Sequence, residues 1–374
     1  MTGLYVHIPF CVKKCHYCDF VVTPAGAGPK RAAFLSALGA ECALWRRVFE
    51  NAAFDTLYVG GGTPSALDLA ETQTLFRTLR ENFRFQDGAE ISYEANPGDF
   101  SAKRRALPAL LKNLGVSRIS LGAQSFSEAT LRRLNRAHGA AEILKSFEIL
   151  RKAGFQNINL DLILSLPGES LEDVRHSLES AAGLGPEHIS LYELVIEEKT
   201  VFGRAHRRGA LDLPDEGSQL EMLSFAARYL EERGYRRYEL LNYSKPGFES
   251  RHNRLYWANE EYLGLGPGAF SYLGGRRFRR AASFGEYMTK MENADPQLCE
   301  EEILSPEEKE IESFLLALRR AEGAEIPRFK RLFPRISGGL RRLEGEGLVI
   351  QEEQSVRLTP RGRLFAETVF AELC

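Results

Sequence analysis

Three cysteines stand within eight residues, Cys11, Cys15 and Cys18, in the run His7-Ile-Pro-Phe-Cys-Val-Lys-Lys-Cys-His-Tyr-Cys-Asp-Phe20. Their spacing is C-x3-C-x2-C. Three thiolates fall one short of a closed tetrahedral zinc site. They can instead hold three irons of a [4Fe–4S] cubane and leave the fourth iron open to a ligand. Zinc is the alternative, with His7 or His16 as a fourth ligand. Zinc modules, however, usually pair cysteines as C-x2-C with a second pair a loop away, and Cys42, Cys299 and Cys374 are isolated. The residue types favour the cluster.

The triplet resembles that of the radical S-adenosylmethionine (SAM) superfamily. The resemblance implies SAM chelating the open iron through its amino and carboxylate groups, and reductive cleavage of its sulfonium C–S bond. SAM makes demands that other residues can meet. Tyr17, just before the third cysteine, can pack the adenine or simply anchor the loop. Gly60, Gly61 and Gly62, followed by Thr63 and Pro64, let the backbone approach a ligand because no Cβ intervenes. Glu94 and Asp161 can accept hydrogen bonds from an ammonium or from ribose hydroxyls. Arg136 can grip a carboxylate as a bidentate fork, or be an ordinary helix-surface cation.

Something must bring these residues together. Short apolar, β-branched runs at Leu4–Ile8, Thr56–Gly60, Glu90–Ala95, Arg118–Gly122, Ile158–Ile163 and His188–Leu194 read as strands. Helical stretches lie near Lys30–Phe49, Leu67–Asn82, Ala102–Asn113, Ala140–Ala153 and Leu171–Ala182, with Glu216–Arg233 after the sixth strand. Six β-α units predict parallel strands joined by crossover helices, an α/β class. Six are fewer than the eight of a closed barrel, so a partial (β/α)6 barrel is expected, as in the superfamily. Ligands bind at the C-terminal ends of such strands. There lie the cysteine loop, the glycine run, Glu94, Gln124 and Asp161.

From about Ser305 the pattern changes to helices at Pro306–Arg320, Ile326–Leu332 and Ile336–Glu346, strands at Leu348–Ile350 and Val356–Leu358, and a last helix from Arg361. This predicts a small winged-helix-like C-terminal domain. The division expected is 1–235 for the barrel, 236–300 for an extension of it and 301–374 for the winged-helix-like domain. Residues 305–374 hold 12 Lys or Arg and 12 Asp or Glu, a net of 12 − 12 = 0, which disfavours nucleic acid as a partner. The 374 residues carry a net charge of −2, so there is no global electrostatic case for nucleic acid or an anionic membrane either. No apolar run reaches the roughly 20 residues of a membrane span. The start lacks a secretory pattern, and a cytoplasmic, reducing location is expected.

The wording of the motifs narrows the resemblance. Tyr5-Val-His-Ile-Pro-Phe-Cys11, Leu121-Gly-Ala-Gln-Ser-Phe126, Leu134-Asn-Arg136 and Asp161-Leu-Ile-Leu-Ser-Leu-Pro167 are similar to the oxygen-independent coproporphyrinogen III oxidase group. Matching motif by motif implies SAM contacts at Tyr5, Tyr17, Gly61, Gly62, Thr63, Glu94, Gln124, Arg136 and Asp161, with Val195 and Phe270 added. Those oxidases carry a fourth cysteine where this chain has Phe20, and a longer segment ahead of Tyr5. Oxidative decarboxylation of coproporphyrinogen is therefore in doubt.

Residues 251–257, Arg-His-Asn-Arg-Leu-Tyr-Trp, contain the H-N-x-x-Y-W motif of the haem-chaperone (HemW) branch. That resemblance implies haem binding around His252, Asn253, Tyr256 and Trp257, and transfer to acceptor haem proteins such as membrane-bound respiratory enzymes. An imidazole can ligate iron and the rings offer flat apolar faces, although a core histidine with aromatic neighbours has the same composition. The first expectation is a haem chaperone on a radical SAM scaffold, with a [4Fe–4S] cluster, SAM and haem, and homodimerisation left open. The second is a coproporphyrinogen oxidase or another tetrapyrrole-acting radical enzyme. A winged-helix regulator with a sensing cluster is the third.

Overall fold

The computed structural model of the chain describes residues 1–24, 28–100, 104–293, 295 and 297–374. Six barrel strands form where the apolar runs fall: Thr2–Ile8, Ala53–Gly61, Arg84–Ala95, Arg118–Gln124, Ile158–Leu164 and His188–Glu193. They are parallel and adjacent in chain order. Ile158–Leu164 is buried at every position except Asp161, as expected of a strand covered on both faces. The crossover helices pack over them. Capping boxes open those at Leu69–Asn82 and Leu171–Gly183, with Asp68 and Glu71 or Ser170 and Asp173 satisfying the free amides of the first turn.

A seventh parallel strand was not anticipated. Glu261–Leu265 pairs with Thr2–Ile8 on its outer edge, Tyr5 opposite Gly264. Gly264 and Leu265 belong to this strand. Antiparallel strands Phe270–Leu273, Arg276–Arg279 and Glu300–Ile303 extend this side, and Asn242–Ser244 and Arg236–Arg237 extend the other. Twelve strands run edge to edge in one sheet whose ends do not pair, so the barrel stays open.

The expected helix over 102–113 is observed as Leu107–Asn113; residues 102 and 103 lie outside the described residues. Glu128–Arg133, Val201–Arg207 and Arg251–Trp257 are helices that the sequence pattern did not single out. Each is only one or two turns long, too short for periodicity to register. Near the C-terminus, helices Pro306–Leu318 and Phe333–Gly345 pack with a three-stranded antiparallel sheet made of Ala324–Glu325, Ser355–Leu358 and Val349–Gln351. The expected helix at Ile326–Leu332 is one 3-10 turn, Ile326–Phe329. Phe314, Leu318, Phe329, Leu340, Val356 and Val369 form a separate apolar core there, which Leu240 joins from the barrel side. Asn259 Nδ2 donates to Ser313 Oγ at 2.9 Å, and Arg277 pairs with Glu312 at 2.7 Å across the seam.

Candidate functional site

Strand register decides what the barrel presents. Pairing sets Glu94 opposite Ser120, and Asp161 opposite both Gly122 and Ser190. Of these, Glu94, Ser120, Gly122 and Asp161 line a cavity of about 420 Å³ at the C-terminal strand ends, bordered by the cysteine loop. Cys11, Cys15 and Cys18 line it, all half-buried and free of disulfides. Nine of the eleven residues that the resemblance assigns to SAM are there: Tyr17, Gly61, Gly62, Thr63, Glu94, Gln124, Arg136, Asp161 and Val195.

The donor set fits a cluster. Among the described residues, no three His, Cys, Asp or Glu side chains close on one point as a single-ion site requires. Three thiols spread round a cavity suit a cubane, in which each binds a different iron. Of the histidines proposed as fourth zinc ligands, His7 has both ring nitrogens engaged and His16 one. His7 Nε2 meets the Val21 carbonyl at 2.8 Å and its Nδ1 meets Tyr5 Oη at 3.0 Å, while His16 Nδ1 meets the Arg133 carbonyl at 3.0 Å. Burial pushes the Cys11 thiol up to about 11 and raises Cys18, so holding thiolates here needs compensating positive charge.

A hydrogen-bonded belt steadies two of the thiols. Arg136 Nη1 donates to Cys15 Sγ at 3.3 Å, and its Nη2 donates to Asn96 Oδ1 at 2.5 Å and to the Gly122 carbonyl at 2.8 Å. Asn96 Nδ2 donates to Thr63 Oγ1, which lies 3.3 Å from Cys11 Sγ. The fork that sequence reasoning gave to a carboxylate is thus turned largely toward protein groups. Only the Nε–H and one Nη1–H remain for a ligand, and Nε is buried without a partner. Asn96 and Tyr58 were missed. Both carried a signal: Asn96 follows Glu94 by two at a strand end, and Tyr58 alternates with Gly60 along its strand.

The acidic wall fits a cationic ligand. Glu94 accepts from Tyr58 Oη at 2.8 Å and the Gly61 amide at 3.0 Å. Burial still pushes it up to about 7, with the Asp161 charge adding to the rise. Asp161 accepts from Ser120 and Asn159, both at 2.8 Å, and is likewise raised by burial. Two carboxylates repelling each other in a closed cavity are relieved by an ammonium or sulfonium. Gln124 adds an acceptor. It takes a left-handed φ of 62° at an irregularity between the fourth and fifth strands, and its buried Oε1 has no partner. A non-glycine residue held there costs about 1–3 kcal/mol, the strain typical of ligand clamps.

Tyr5 and Phe270 do not join this cavity. They line a second one, of about 510 Å³, with Tyr256, Trp257, Tyr262, Arg277, Arg279 and Leu316 among its walls. Asp19 and Phe20 border both cavities. The reason is positional: Tyr5 stands between the second strand and the unanticipated seventh, and Phe270 follows that seventh strand. Of the H-N-x-x-Y-W residues, only Tyr256 and Trp257 reach the cavity. Asn253 does not line it. His252 is 1% exposed, its Nδ1 2.7 Å from Thr56 Oγ1 and its Nε2 2.8 Å from Tyr256 Oη. With both ring nitrogens occupied in the core, His252 is not placed to ligate iron.

Comparison with known proteins gives the family. Residues 5–181 match the radical SAM superfamily model and residues 304–365 the HemN C-terminal domain model. A Bacillus subtilis protein named heme chaperone HemW is 36% identical over 377 aligned residues, covering 99% of this chain and 98% of the relative. The chain belongs to the HemW family. The Escherichia coli HemW is 37% identical over 71% of this chain and 69% of its own. Among solved structures, coproporphyrinogen III oxidase (HemN) from Escherichia coli superposes with a TM-score of 0.87 at 25% identity, covering 100% of this chain and 89% of that one. Membership of the radical SAM superfamily implies a [4Fe–4S] cluster and SAM, and the cavity's three thiols and acidic wall fit both.

Proposed function

We propose that this HemW-family chain is a haem chaperone that takes haem into the second cavity and passes it to acceptor haem proteins. The observation that carries the reading is the cavity itself. Its volume lies in the range of ligand pockets, roughly 300–1,000 Å³, and its walls combine flat rings with guanidinium groups. Tyr256, Trp257, Tyr262 and Phe270 would cover the macrocycle. Arg277 and Arg279 would meet its propionates, in exchange for the carboxylates of Glu302, Glu312 and Glu300 that they now pair with. The relatives named heme chaperone support the same reading over nearly the whole chain.

In the first cavity, Cys11, Cys15 and Cys18 would hold the cluster. Tyr17, Gly61, Gly62, Thr63, Glu94, Gln124, Arg136, Asp161 and Val195 would surround SAM. When bound, the cluster supplies an electron to the sulfonium of SAM. The chain's own part is to exclude water, to balance charge through Glu94 and Asp161, and to fix the thiols through Thr63, Asn96 and Arg136.

No helix among the described residues is long and apolar enough to cross a membrane. Our reading places the chain in the cytoplasm, delivering haem to acceptors that include membrane-bound respiratory enzymes, and working as a homodimer where docking requires it. The test is haem titration of the anaerobically reconstituted protein, followed by transfer to an apo acceptor. Saturable binding and transfer are expected. Product formation from coproporphyrinogen III, with no haem uptake, would overturn the reading in favour of the oxidase.

A further inference from the structure

We infer that Tyr256 is the residue that binds haem iron, and that buried His252 acts through it as proton acceptor. This deepens the haem reading above and depends on it.

Helix Arg251–Trp257 sets His252 and Tyr256 four residues apart, one turn above the other. Only the tyrosine lines the cavity. Its Oη lies 2.8 Å from His252 Nε2, and the two rings meet edge-on with centroids 4.8 Å apart. On the far side Nδ1 sits 2.7 Å from Thr56 Oγ1. When Nδ1–H donates to Thr56, Nε2 keeps a lone pair for the phenol proton, and the phenol oxygen's own lone pairs are left for a metal. Tyr262 packs edge-on against Tyr256 at 4.6 Å, and Trp257 follows it on the same helix, its buried Nε1 without a partner. The ring that would donate to iron is therefore set among the rings that would cover the macrocycle.

The other groups on the wall are less suited. His7 has both nitrogens engaged, by Tyr5 and by the Val21 carbonyl. Glu312 is held by Arg277 and Asn259. No cysteine or methionine lines the cavity. Tyr5 is the rival, since its Oη also meets a histidine nitrogen. Its ring, however, leans toward Tyr58 of the cluster cavity.

The chemistry balances without a redox partner. Fe(III)–O forms as the phenol O–H breaks, the proton moves to His252 Nε2, and the iron keeps its oxidation state. The phenolate offsets the positive charge of ferric haem, and the imidazolium forms in contact with that phenolate. A tyrosinate ligand, as catalases use, is hard and anionic and favours ferric over ferrous iron. Reduction with dithionite should therefore loosen the haem.

The test is resonance Raman spectroscopy of the full-length, cluster-reconstituted protein loaded with ferric haem. Tyrosinate ring modes should appear in the wild type and shift when the chain carries ring-deuterated tyrosine, a readout that needs no variant. Tyr256→Phe should lose these modes and bind haem about tenfold more weakly or worse. Tyr5→Phe should keep them, and His252→Gln should keep haem with a weakened Fe–O vibration. Absence of tyrosinate modes in the wild type, their survival in Tyr256→Phe, or their loss in Tyr5→Phe overturns the inference. Haem bound through imidazole or thiolate sinks the inference and leaves the chaperone reading standing. No haem uptake by the wild type sinks both.

Discussion

Replacing Gly61 with alanine should damage the cofactor cavity from behind. Gly61 ends the second strand at a φ of 108°, where an L-residue is strained by about 1–3 kcal/mol. An added Cβ would also sit 2.6 Å from His7 Nδ1 and 2.7 Å from its Cε1. That ring cannot simply turn away, because Tyr5 and the Val21 carbonyl hold its two nitrogens. Losing both bonds adds about 1 kcal/mol each, for a total of about 3–5 kcal/mol. A whole protein has only roughly 5–15 kcal/mol to lose. Because Val21 follows the cysteines, the displaced histidine should also disturb the loop that carries the thiols. Urea unfolding would give the stability change, and iron and sulfide content after reconstitution the effect on the loop. Gly285→Ala is the control, a helical glycine with nothing within 4 Å of its would-be Cβ. If Gly61→Ala unfolds within about 0.5 kcal/mol of the wild type and retains full iron, the reasoning about this turn is wrong.

Other outcomes follow from the same geometry. Serine at Cys11, Cys15 or Cys18 singly should abolish cluster absorbance after reconstitution, whereas serine at exposed Cys299 should leave it intact. Glu94, pushed up to about 7 by burial, favours its neutral form in the folded state. Its stabilising contribution is present below its unfolded value and is lost as pH rises through about 7, so the advantage of Glu94→Gln over the wild type should grow by about 2 kcal/mol between pH 5 and pH 8 in the cofactor-free protein. Equal urea midpoint differences at the two pH values would contradict that. Trp257→Ala should weaken haem binding while leaving SAM binding unchanged, as measured by separate titrations, because Trp257 lines only the second cavity.

Much of the first cavity was legible because its residues are local signals repeated at strand ends. The cysteine spacing, the Gly60–Gly62 run and the acidic residues Glu94 and Asp161 in the third and fifth strands needed only strand periodicity to bring them together. The second cavity was not legible in the same way. Tyr5 and Phe270 were grouped with the SAM residues, yet both line the second cavity, beside Glu261–Leu265, which pairs with the first strand across more than 250 residues. Nothing local announces that pairing. His252 illustrates a different limit. Its motif marks the right helix, but whether a histidine faces a ligand or the core depends on the rotation of that helix against Thr56. Gln124 escaped as a strained residue because a left-handed φ outside glycine leaves no trace in composition.

The most direct test of the account is Mössbauer and EPR spectroscopy of anaerobically reconstituted, iron-57-enriched protein with and without SAM. The account predicts a [4Fe–4S] cluster with one iron site distinct from the other three, whose spectrum changes when SAM is added. Bound zinc in place of iron, or a cluster whose four irons are indifferent to SAM, would contradict it.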